Sequence, residues 1–319
     1  MHRVIFFGTE AFAVKILESL VAHPEQFAVA AVVTQPARPV GRKQIITPSP
    51  VAVCAAAHGI EILTPTTLKD AAVVTQLQSF AADVFVVAQY GMIIPQTILD
   101  IPAHGAINVH ASLLPRHRGA SPVHSAILAG DSVTGVTFMK MDALMDHGDL
   151  FAEYSLPIAA DDTTESLMNK LAEISAEHFI HDLNELLNGT ISATAQNHAA
   201  ATGTKMLSRE SGFVVWETMD ASLIERMTRA FFPWPGVSIQ SGDAIFKIIK
   251  AHVAQSEKKG VPGTVHISPQ EVSLDTIDGL LIVDEIQPAG KSMMSAQQFA
   301  NGNKFLDGQI CTTMSASAK

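Results

Sequence analysis

The first 150 residues alternate short apolar runs with stretches of helical pattern, and this alternation limits the fold more than any other feature of the chain. Continuous apolar runs are typical of buried strands, whereas apolar residues three or four apart are typical of helices. The strands are predicted at Arg3–Phe7, Val29–Thr34, Asp83–Ala88, Ala106–Ala111 and Gly135–Met141. The helices are predicted at Phe12–Val21, Val51–His58, Leu68–Phe80 and Pro122–Leu128. Helices that separate strands apolar on both faces indicate an α/β domain with a mostly parallel sheet.

The rest of the chain follows a different plan. A long helix is predicted at Thr163–Leu187 and ends at the turn signal Asn188–Gly189. Residues 190–207 are small and polar, which is typical of a linker. Beyond them, short β runs separated by turns predict a small antiparallel barrel. Its elements are predicted at the helix Ala221–Phe231, the strands Val237–Gln240, Ala244–Val253, Gly263–Ile267, Val272–Thr276 and Leu280–Ile286, and the helix Ser295–Asn301. We therefore expect a first domain at 1–189, a linker at 190–207 and a second domain at 208–319.

Composition excludes several classes of protein. With 47% hydrophobic and 16% charged residues, the chain has ample material for a core and is not globally disordered. No apolar run approaches the ~18 residues of a membrane helix, and the start of the chain reads as a strand, so we expect no membrane association. Two cysteines, Cys54 and Cys311, cannot form a disulfide framework or a thiolate zinc site. These features together predict a cytoplasmic protein.

The net charge of −10 argues against a nonspecific nucleic-acid binder, because neither half of the chain is basic. Local basic patches can still override this sum. The loop Thr34–Gln44 carries one such patch, with Arg38, Arg42 and Lys43 among Pro and Gly residues. It is either an exposed loop whose charges aid solubility or a loop that contacts phosphates.

The strand at 106–111 carries an unusual polar face. Side chains alternate faces along a strand, so Asn108, His110 and Ser112 point to the side opposite Ile107 and Val109. Buried polar groups need partners or a crevice, and parallel sheets bind ligands in the crevice beyond the carboxyl ends of their strands. A hydrogen-bonded structural cluster is the plainer explanation for one histidine, but three polar residues on one face favour a site.

This polar face suits acyl transfer. The amide of Asn108 and a protonated His110 can both donate to a developing oxyanion, and a histidine can also move a proton near neutral pH. A carboxylate is then needed to orient the imidazole or to accept a proton. The segment 141–149 follows a predicted strand and offers three aspartates, among which the spacing does not choose: Asp142, Asp146 and Asp149.

These residues resemble the signature of the folate-dependent formyltransferases. The resemblance is carried by Asn-Val-His-Ala-Ser-Leu-Leu-Pro-Arg-His-Arg-Gly-Ala at 108–120 and extends over nearly the whole chain. In the second domain it rests on the segments 232–236, 262–265 and 287–295. It implies a Rossmann-like domain followed by a smaller OB-fold-like β-barrel. It also implies formyl transfer from 10-formyltetrahydrofolate to the α-amino group of methionine on initiator tRNA, for translation initiation. We expect the enzyme to be a monomer and to need no metal.

The resemblance also assigns roles to particular residues. Asn108 and His110 match the catalytic pair of the family, and Asp146 matches its catalytic aspartate. The segments that match the family's folate contacts are Ser112, Leu113, Leu114 and Pro115, together with Tyr90, Gly91 and Ile93. The basic loop with Arg38, Arg42 and Lys43 matches a region that meets the acceptor end of tRNA. The chain departs from the usual family pattern at Gln89, His117, Leu144, His147 and Phe232.

Three other functions compete with this interpretation. A formyltransferase acting on a nucleotide sugar or on glycinamide ribonucleotide would keep Asn108, His110 and Asp146 but would not need the second-domain segments. A non-catalytic module that binds nucleotide and RNA would have no use for His110. A folate hydrolase would use the same site, with water in place of the amine.

Overall fold

A seven-stranded sheet lies at the centre of the amino-terminal part of the chain. The structure is a computed structural model and describes residues 1–41, 43–254 and 260–314. The strands of this part are β1 (His2–Gly8), β2 (Phe27–Val33), β3 (Arg38–Val40), β4 (Ile45–Thr47), β5 (Ile62–Leu63), β6 (Val84–Ala88), β7 (Ala106–His110), β8 (Val133–Lys140) and β9 (Leu150–Pro157). The helices are α1 (Ala11–Val21), α2 (Pro50–Ala57), α3 (Ala71–Ser79), α4 (Gln96–Leu99), α5 (Pro122–Ala129) and α6 (Thr164–Leu187).

The strand order in this sheet is β5-β2-β1-β6-β7-β8-β9, and β3 pairs with β4 in a separate hairpin. The strands from β5 to β7 are parallel, whereas β8 is antiparallel to β7 and β9 is antiparallel to β8. The predicted mostly parallel sheet is therefore confirmed. The sequence pattern does not predict β9 or the β3–β4 hairpin, because their residues are half-buried or exposed and form no continuous apolar run.

Close packing of α1 on β1 explains a glycine at the end of the first strand. A Cβ atom added at Gly8 would lie 2.6 Å from the ring of Phe6 and 2.9 Å from the Cβ of Ala13. Both distances are shorter than van der Waals contact. The first helix can therefore approach the sheet only where the strand lacks a side chain.

Side-chain caps set where two of the helices begin. The hydroxyl of Ser49 accepts a hydrogen bond from the N–H of Ala52, and Pro50 occupies the first position of α2. Asp70 caps α3 in the same way, through the N–H of Ala72. Each cap satisfies a backbone N–H that has no partner within the helix.

The carboxy-terminal part forms an antiparallel sheet that curls into a barrel, as predicted. Its elements are α7 (Ala221–Ala230), β10 (Val237–Ser241), β11 (Ala244–Ala254), β12 (Val265–Ile267), β13 (Val272–Asp275), β14 (Leu280–Pro288), β15 (Met294–Ser295) and α8 (Ala296–Gly302). The strand order is β10-β11-β14-β13-β12, and β15 pairs with β14. Gln240 of β10 forms an isolated bridge with Thr312, and Thr264, just before β12, forms one with Ile310. The segment 310–312 therefore pairs with both edges of the sheet.

The chain divides into two compact units, each of which makes most of its contacts within itself. The first contains Met1–Pro122, Val133–Pro157 and Leu167–Lys205, and the second contains Val123–Ser132, Ile158–Ser166 and Met206–Lys319. Most of the segment predicted as a linker is therefore packed with the first unit. Among the described residues, no helix has the length and apolar character that crossing a membrane requires.

Candidate active site

Strand β7 presents two polar side chains at the candidate site. Asn108 and His110 are 9% and 6% exposed, while Ile107 and Val109 of the same strand are buried among apolar residues. Register places Asn108 beside Val87 of β6 and beside Met139 of β8, so the strand lies inside the sheet. The alternation predicted from the sequence therefore separates an apolar face from a polar face.

The loop between β8 and β9 brings a carboxylate to this polar face. The Oδ1 atom of Asp146 lies 3.4 Å from the Nδ2 of Asn108 and 3.6 Å from the Nδ1 of His110. Its Oδ2 accepts a 2.7 Å hydrogen bond from the backbone N–H of Gly119. The other two aspartates lie elsewhere: Asp142 contacts His147 at 2.6 Å, and Asp149 is exposed.

The imidazole of His110 is held between two oxygen atoms. Its Nδ1 faces Asp146, and its Nε2 lies 3.2 Å from the backbone carbonyl of His117. At 3.6 Å the Nδ1 contact is within ion-pair range but is longer than a hydrogen bond, whereas the Nε2 contact has the length of a hydrogen bond. Asp146 and the carbonyl of His117 therefore orient the ring from both sides.

Three residues with strained backbone conformations lie in loops near Asn108 and His110. Gln89, His117 and Asp146 adopt φ angles of 42°, 57° and 49°, a left-handed conformation that is costly for residues with a side chain. Gln89 follows β6, His117 lies in the loop after β7, and Asp146 lies in the loop after β8. Strained residues of this kind cluster at functional sites, where the surrounding structure holds them in place.

Two family models match the chain: "Formyl transferase" over residues 2–183 and "Formyl transferase, C-terminal domain" over residues 206–304. The first model alone covers more than half of the chain.

The chain belongs to the formyl transferase family.

Relatives of this formyl transferase match almost from end to end. The methionyl-tRNA formyltransferase of Roseiflexus castenholzii is 42% identical over 96% of this chain and 98% of its own length. The methionyl-tRNA formyltransferase of Listeria innocua is 41% identical over 95% of this chain and 96% of its own. A solved structure of WlaRD, a sugar 3N-formyl transferase, covers 92% of this chain and 99% of its own with a TM-score of 0.66 at 19% identity, which shows the same fold.

The four predicted folate contacts at 112–115 follow β7 in this formyl transferase and are tied to β8. The hydroxyl of Thr137 donates to the carbonyl of Ser112 at 2.7 Å and accepts from the N–H of Leu114 at 3.0 Å. Leu113 packs against Gly135, where a Cβ would lie 2.6 Å from the leucine side chain. Ser112 and Leu114 are buried, while Leu113 and Pro115 are half-buried. The segment is thus fixed by its backbone.

The other three predicted folate contacts follow β6, next to β7 in the sheet. Because β6 and β7 are parallel, both segments lie at the same edge. The ring of Tyr90 is buried in the core, and its carbonyl accepts hydrogen bonds from Thr9 and Gln35. Gly91 has a φ of 77°, and the side chain of Ile93 is 80% exposed. An exposed apolar side chain beside an anchored backbone suits contact with a flat ring system.

Two of the three predicted RNA-contacting residues lie on the β3–β4 hairpin and its turn. Arg38 is in β3 and Lys43 is in the turn, and both are exposed. Arg42 lies outside the described residues. Arg38 also borders an open groove of about 770 Å³ between the hairpin and helices α1 and α2. The exposed side chains of Arg38 and Lys43 are accessible to an anionic partner.

Residues 194–205, here called the strap, contribute contacts that the sequence reasoning misses. Thr194 bridges Leu150, and Gly203 forms a parallel bridge with Arg118. The hydroxyls of Thr202 and Thr204 accept hydrogen bonds from the N–H groups of His117 and Ser121. Small polar residues are typical of linkers, so composition gives no signal for this role.

The residues near the site offer no evident metal ligand set. Among the described residues, no group of three or more His, Cys, Asp and Glu side chains could hold a metal ion. Asp146 instead brings a carboxylate to a hydrogen-bond donor and an imidazole: its Oδ1 lies 3.4 Å from Asn108 Nδ2 and 3.6 Å from His110 Nδ1. Such a set can stabilise negative charge and move a proton.

Proposed function

We propose that this enzyme transfers a formyl group from 10-formyltetrahydrofolate to the α-amino group of methionine on initiator methionyl-tRNA. The observation that carries the proposal is the near full-length similarity to methionyl-tRNA formyltransferases at 42% identity, combined with the convergence of Asn108, His110 and Asp146. The folate donor is supported by the formyl transferase fold, which WlaRD shares in a structure determined with 5-N-formyl-THF. The activity would serve translation initiation in the cytoplasm.

Asn108 and His110 stabilise the negative charge that develops on the formyl oxygen as the amine attacks the formyl carbon. One N–H of the Asn108 amide is directed at Asp146, which leaves the second for the substrate. When it is protonated, the imidazole of His110 adds a positive charge to the same site. Preorganised donors of this kind are usually the largest single contribution to catalysis, because the protein need not reorganise as charge develops.

Asp146 handles the proton of the reaction. The attacking amine must be neutral, and a free α-amino group has a pKa of about 8. As the nitrogen–carbon bond forms, the amine loses a proton, and the folate nitrogen that leaves the formyl carbon gains one. The carboxylate of Asp146, in contact with His110, is the group best placed to accept and return that proton.

The folate is proposed to lie along the segments that follow β6 and β7. Ile93 supplies exposed apolar surface, and the backbone of residues 112–115 supplies hydrogen-bonding groups of fixed position. Both segments leave the sheet at the edge where Asn108 and His110 lie. The donor's formyl group would thereby reach the catalytic side chains.

The acceptor end of tRNA is proposed to meet the loop that carries Arg38, Arg42 and Lys43. Arg38, Arg42 and Lys43 supply three of the cations that could contact phosphates. The methionyl-tRNA formyltransferases of Roseiflexus castenholzii and Listeria innocua match over 96% and 95% of this chain, and so through both domains, which supports a tRNA acceptor.

A formylation assay with charged initiator tRNA tests the proposal. The enzyme is supplied with 10-formyltetrahydrofolate and, in separate reactions, with methionyl initiator tRNA, a dTDP-amino sugar or glycinamide ribonucleotide. We expect turnover with the tRNA alone. Turnover with a small amine and none with the tRNA would favour the other formyl acceptors, and release of formate without any amine would indicate a folate hydrolase.

A further inference from the structure

Every hydrogen-bonding position of the Gln196 side chain is used. The residue is 6% exposed and lies on the strap. Its Nε2 donates to the carbonyl of Asp146 at 2.9 Å and to the carbonyl of Gly148 at 2.7 Å. Its Oε1 accepts from the Nε of Arg118 at 3.2 Å and from the Nη2 of the same arginine at 2.5 Å. An amide has two donor hydrogens and two acceptor positions, so this one is fully satisfied.

The two carbonyls held by Gln196 fix the backbone that carries the catalytic aspartate. Asp146 has a left-handed backbone with a φ of 49°, so its conformation must be stabilised by neighbouring groups. Gly148 packs so closely on the carbonyl of Lys140 that a Cβ there would lie 1.9 Å from it. With the carbonyls of residues 146 and 148 both bound, the direction of the Asp146 side chain is set by the strap.

The other end of Gln196 holds the loop after β7. The backbone of Arg118 also pairs with the strap, through a 2.8 Å bond from its N–H to Thr202 and a 2.7 Å bond from the N–H of Thr204 to its carbonyl. The preceding residue, His117, is the one whose carbonyl faces the Nε2 of His110. Gln196 therefore joins the two loops whose oxygen atoms lie on either side of the catalytic imidazole.

We propose that Gln196 is a positioning residue for formyl transfer, which sets the carboxylate of Asp146 in line with Asn108 and His110. The inference rests on the proposed function. Gln196 itself is buried behind the loop and acts on the reaction through Asp146.

Gln196→Glu tests the proposal with little change in shape. The carboxylate keeps acceptors for Arg118 but has no N–H for the carbonyls of Asp146 and Gly148, which it would repel. We expect kcat to fall by about 100-fold, because a catalytic group displaced by about 1 Å, here the Asp146 carboxylate, loses about that much activity. The KM values for the folate and for the tRNA should each change less than threefold. The matched control is Asn197→Asp, which makes the same amide-to-carboxylate change at the neighbouring exposed position and should leave kcat unchanged.

A double-mutant cycle with Asp146→Asn distinguishes a positioning role of Gln196 from a purely structural one, because only the former makes the effect of Gln196→Glu depend on Asp146. If Gln196 acts through Asp146, then Gln196→Glu lowers the single-turnover rate far less on the Asp146→Asn background than on the wild type. An equal loss on both backgrounds would overturn the proposal, as would a wild-type kcat for Gln196→Glu or an equal loss for Asn197→Asp.

Two further controls separate the possible failures. Circular dichroism and thermal melting establish that each variant is folded, and Gln196→Met, which has the same length but no hydrogen-bonding group, replaces Gln196→Glu if the latter is not. It is subject to the same comparisons. A wild-type enzyme that does not formylate methionyl-tRNA would overturn the proposed function, and this inference with it, whereas an active wild type with active Gln196 variants would overturn this inference alone.

Discussion

The carboxylate of Asp146 accepts a 2.7 Å hydrogen bond from the backbone N–H of Gly119. This bond joins the loop after β8 to the loop after β7. It also leaves the second carboxylate oxygen directed at Asn108 and His110. The position of Gly119 therefore bears directly on the geometry of the catalytic group.

Gly119→Ala should lower both stability and activity. Gly119 has a φ of 111°, and an added Cβ would lie 2.8 Å from the hydroxyl of Thr204 and 3.1 Å from its carbonyl. We expect a loss of about 1–3 kcal/mol in the free energy of unfolding and at least a tenfold lower kcat. Denaturant unfolding and steady-state formylation measure the two effects.

Gly203→Ala is the matched control for this change. A Cβ there would meet no heavy atom within 4 Å, and we expect the free energy of unfolding to change by less than about 0.5 kcal/mol. If both alanine variants unfold at the same denaturant concentration, the strap does not restrict the loop at Gly119.

Asn108→Ala should nearly abolish turnover without unfolding the protein. The amide is the side-chain donor on β7 nearest to Asp146, and loss of one oxyanion donor typically lowers kcat by about 10²–10³-fold. Single-turnover formylation measures the loss, with Asn197→Ala, at an exposed asparagine, as the control. An Asn108→Ala enzyme with a rate close to that of the wild type would remove this residue from the mechanism.

Stability should decline in acid because of His124. Burial lowers the pKa of this histidine from 6.5 to about 4. Between these values the unfolded state binds a proton that the folded state does not, so the free energy of unfolding falls as the pH drops from 6.5 to 4. The shift corresponds to at most about 3 kcal/mol.

Denaturant unfolding at a series of pH values measures this effect. His124→Gln should flatten the decline, while His58→Gln, at an exposed histidine, should retain it. The same decline in all three proteins would mean that other groups cause it.

Binding of tRNA should depend only weakly on salt. With a net charge of −10, the chain has few cations to place against phosphates, and each phosphate contact contributes about 0.7–0.9 to the slope of log affinity against log salt. We expect Lys43→Ala to lower the affinity and to reduce the slope by about one.

Filter binding at several salt concentrations measures the slope. Lys69→Ala removes an exposed lysine that has no proposed role in binding and serves as the control. A steep slope in the wild type, or no change with Lys43→Ala, would show that other residues make the phosphate contacts.

The sequence predicts the polar face of β7 because strand periodicity is a local property. Alternation alone places Asn108 and His110 together and opposite Val109. Local pattern does not select Asp146 from its neighbours, because its partners lie 27 to 38 residues away in the chain. The family resemblance singles it out, and the loop geometry then shows what it contacts.

The contacts of the strap could not be predicted from the sequence. Gln196 lies 78 residues from Arg118 and 50 residues from Asp146, so no short-range pattern reports their contact. The antiparallel direction of β8 could not be predicted either, because parallel and antiparallel strands can have the same apolar pattern. Both features depend on tertiary pairing rather than on propensity.

The place of the strap in the chain also governs how the enzyme is made. A ribosome builds the chain from its amino terminus, so the sheet and the catalytic side chains emerge well before residue 196 does. Until Gln196 and Thr202 leave the exit tunnel, the nascent loops that carry Asp146 and His117 cannot form their hydrogen bonds to the strap. A gene fragment ending at residue 189 would lack Gln196 and Thr202, so an isolated catalytic unit should be expressed through Lys205, where the last segment of the first unit ends.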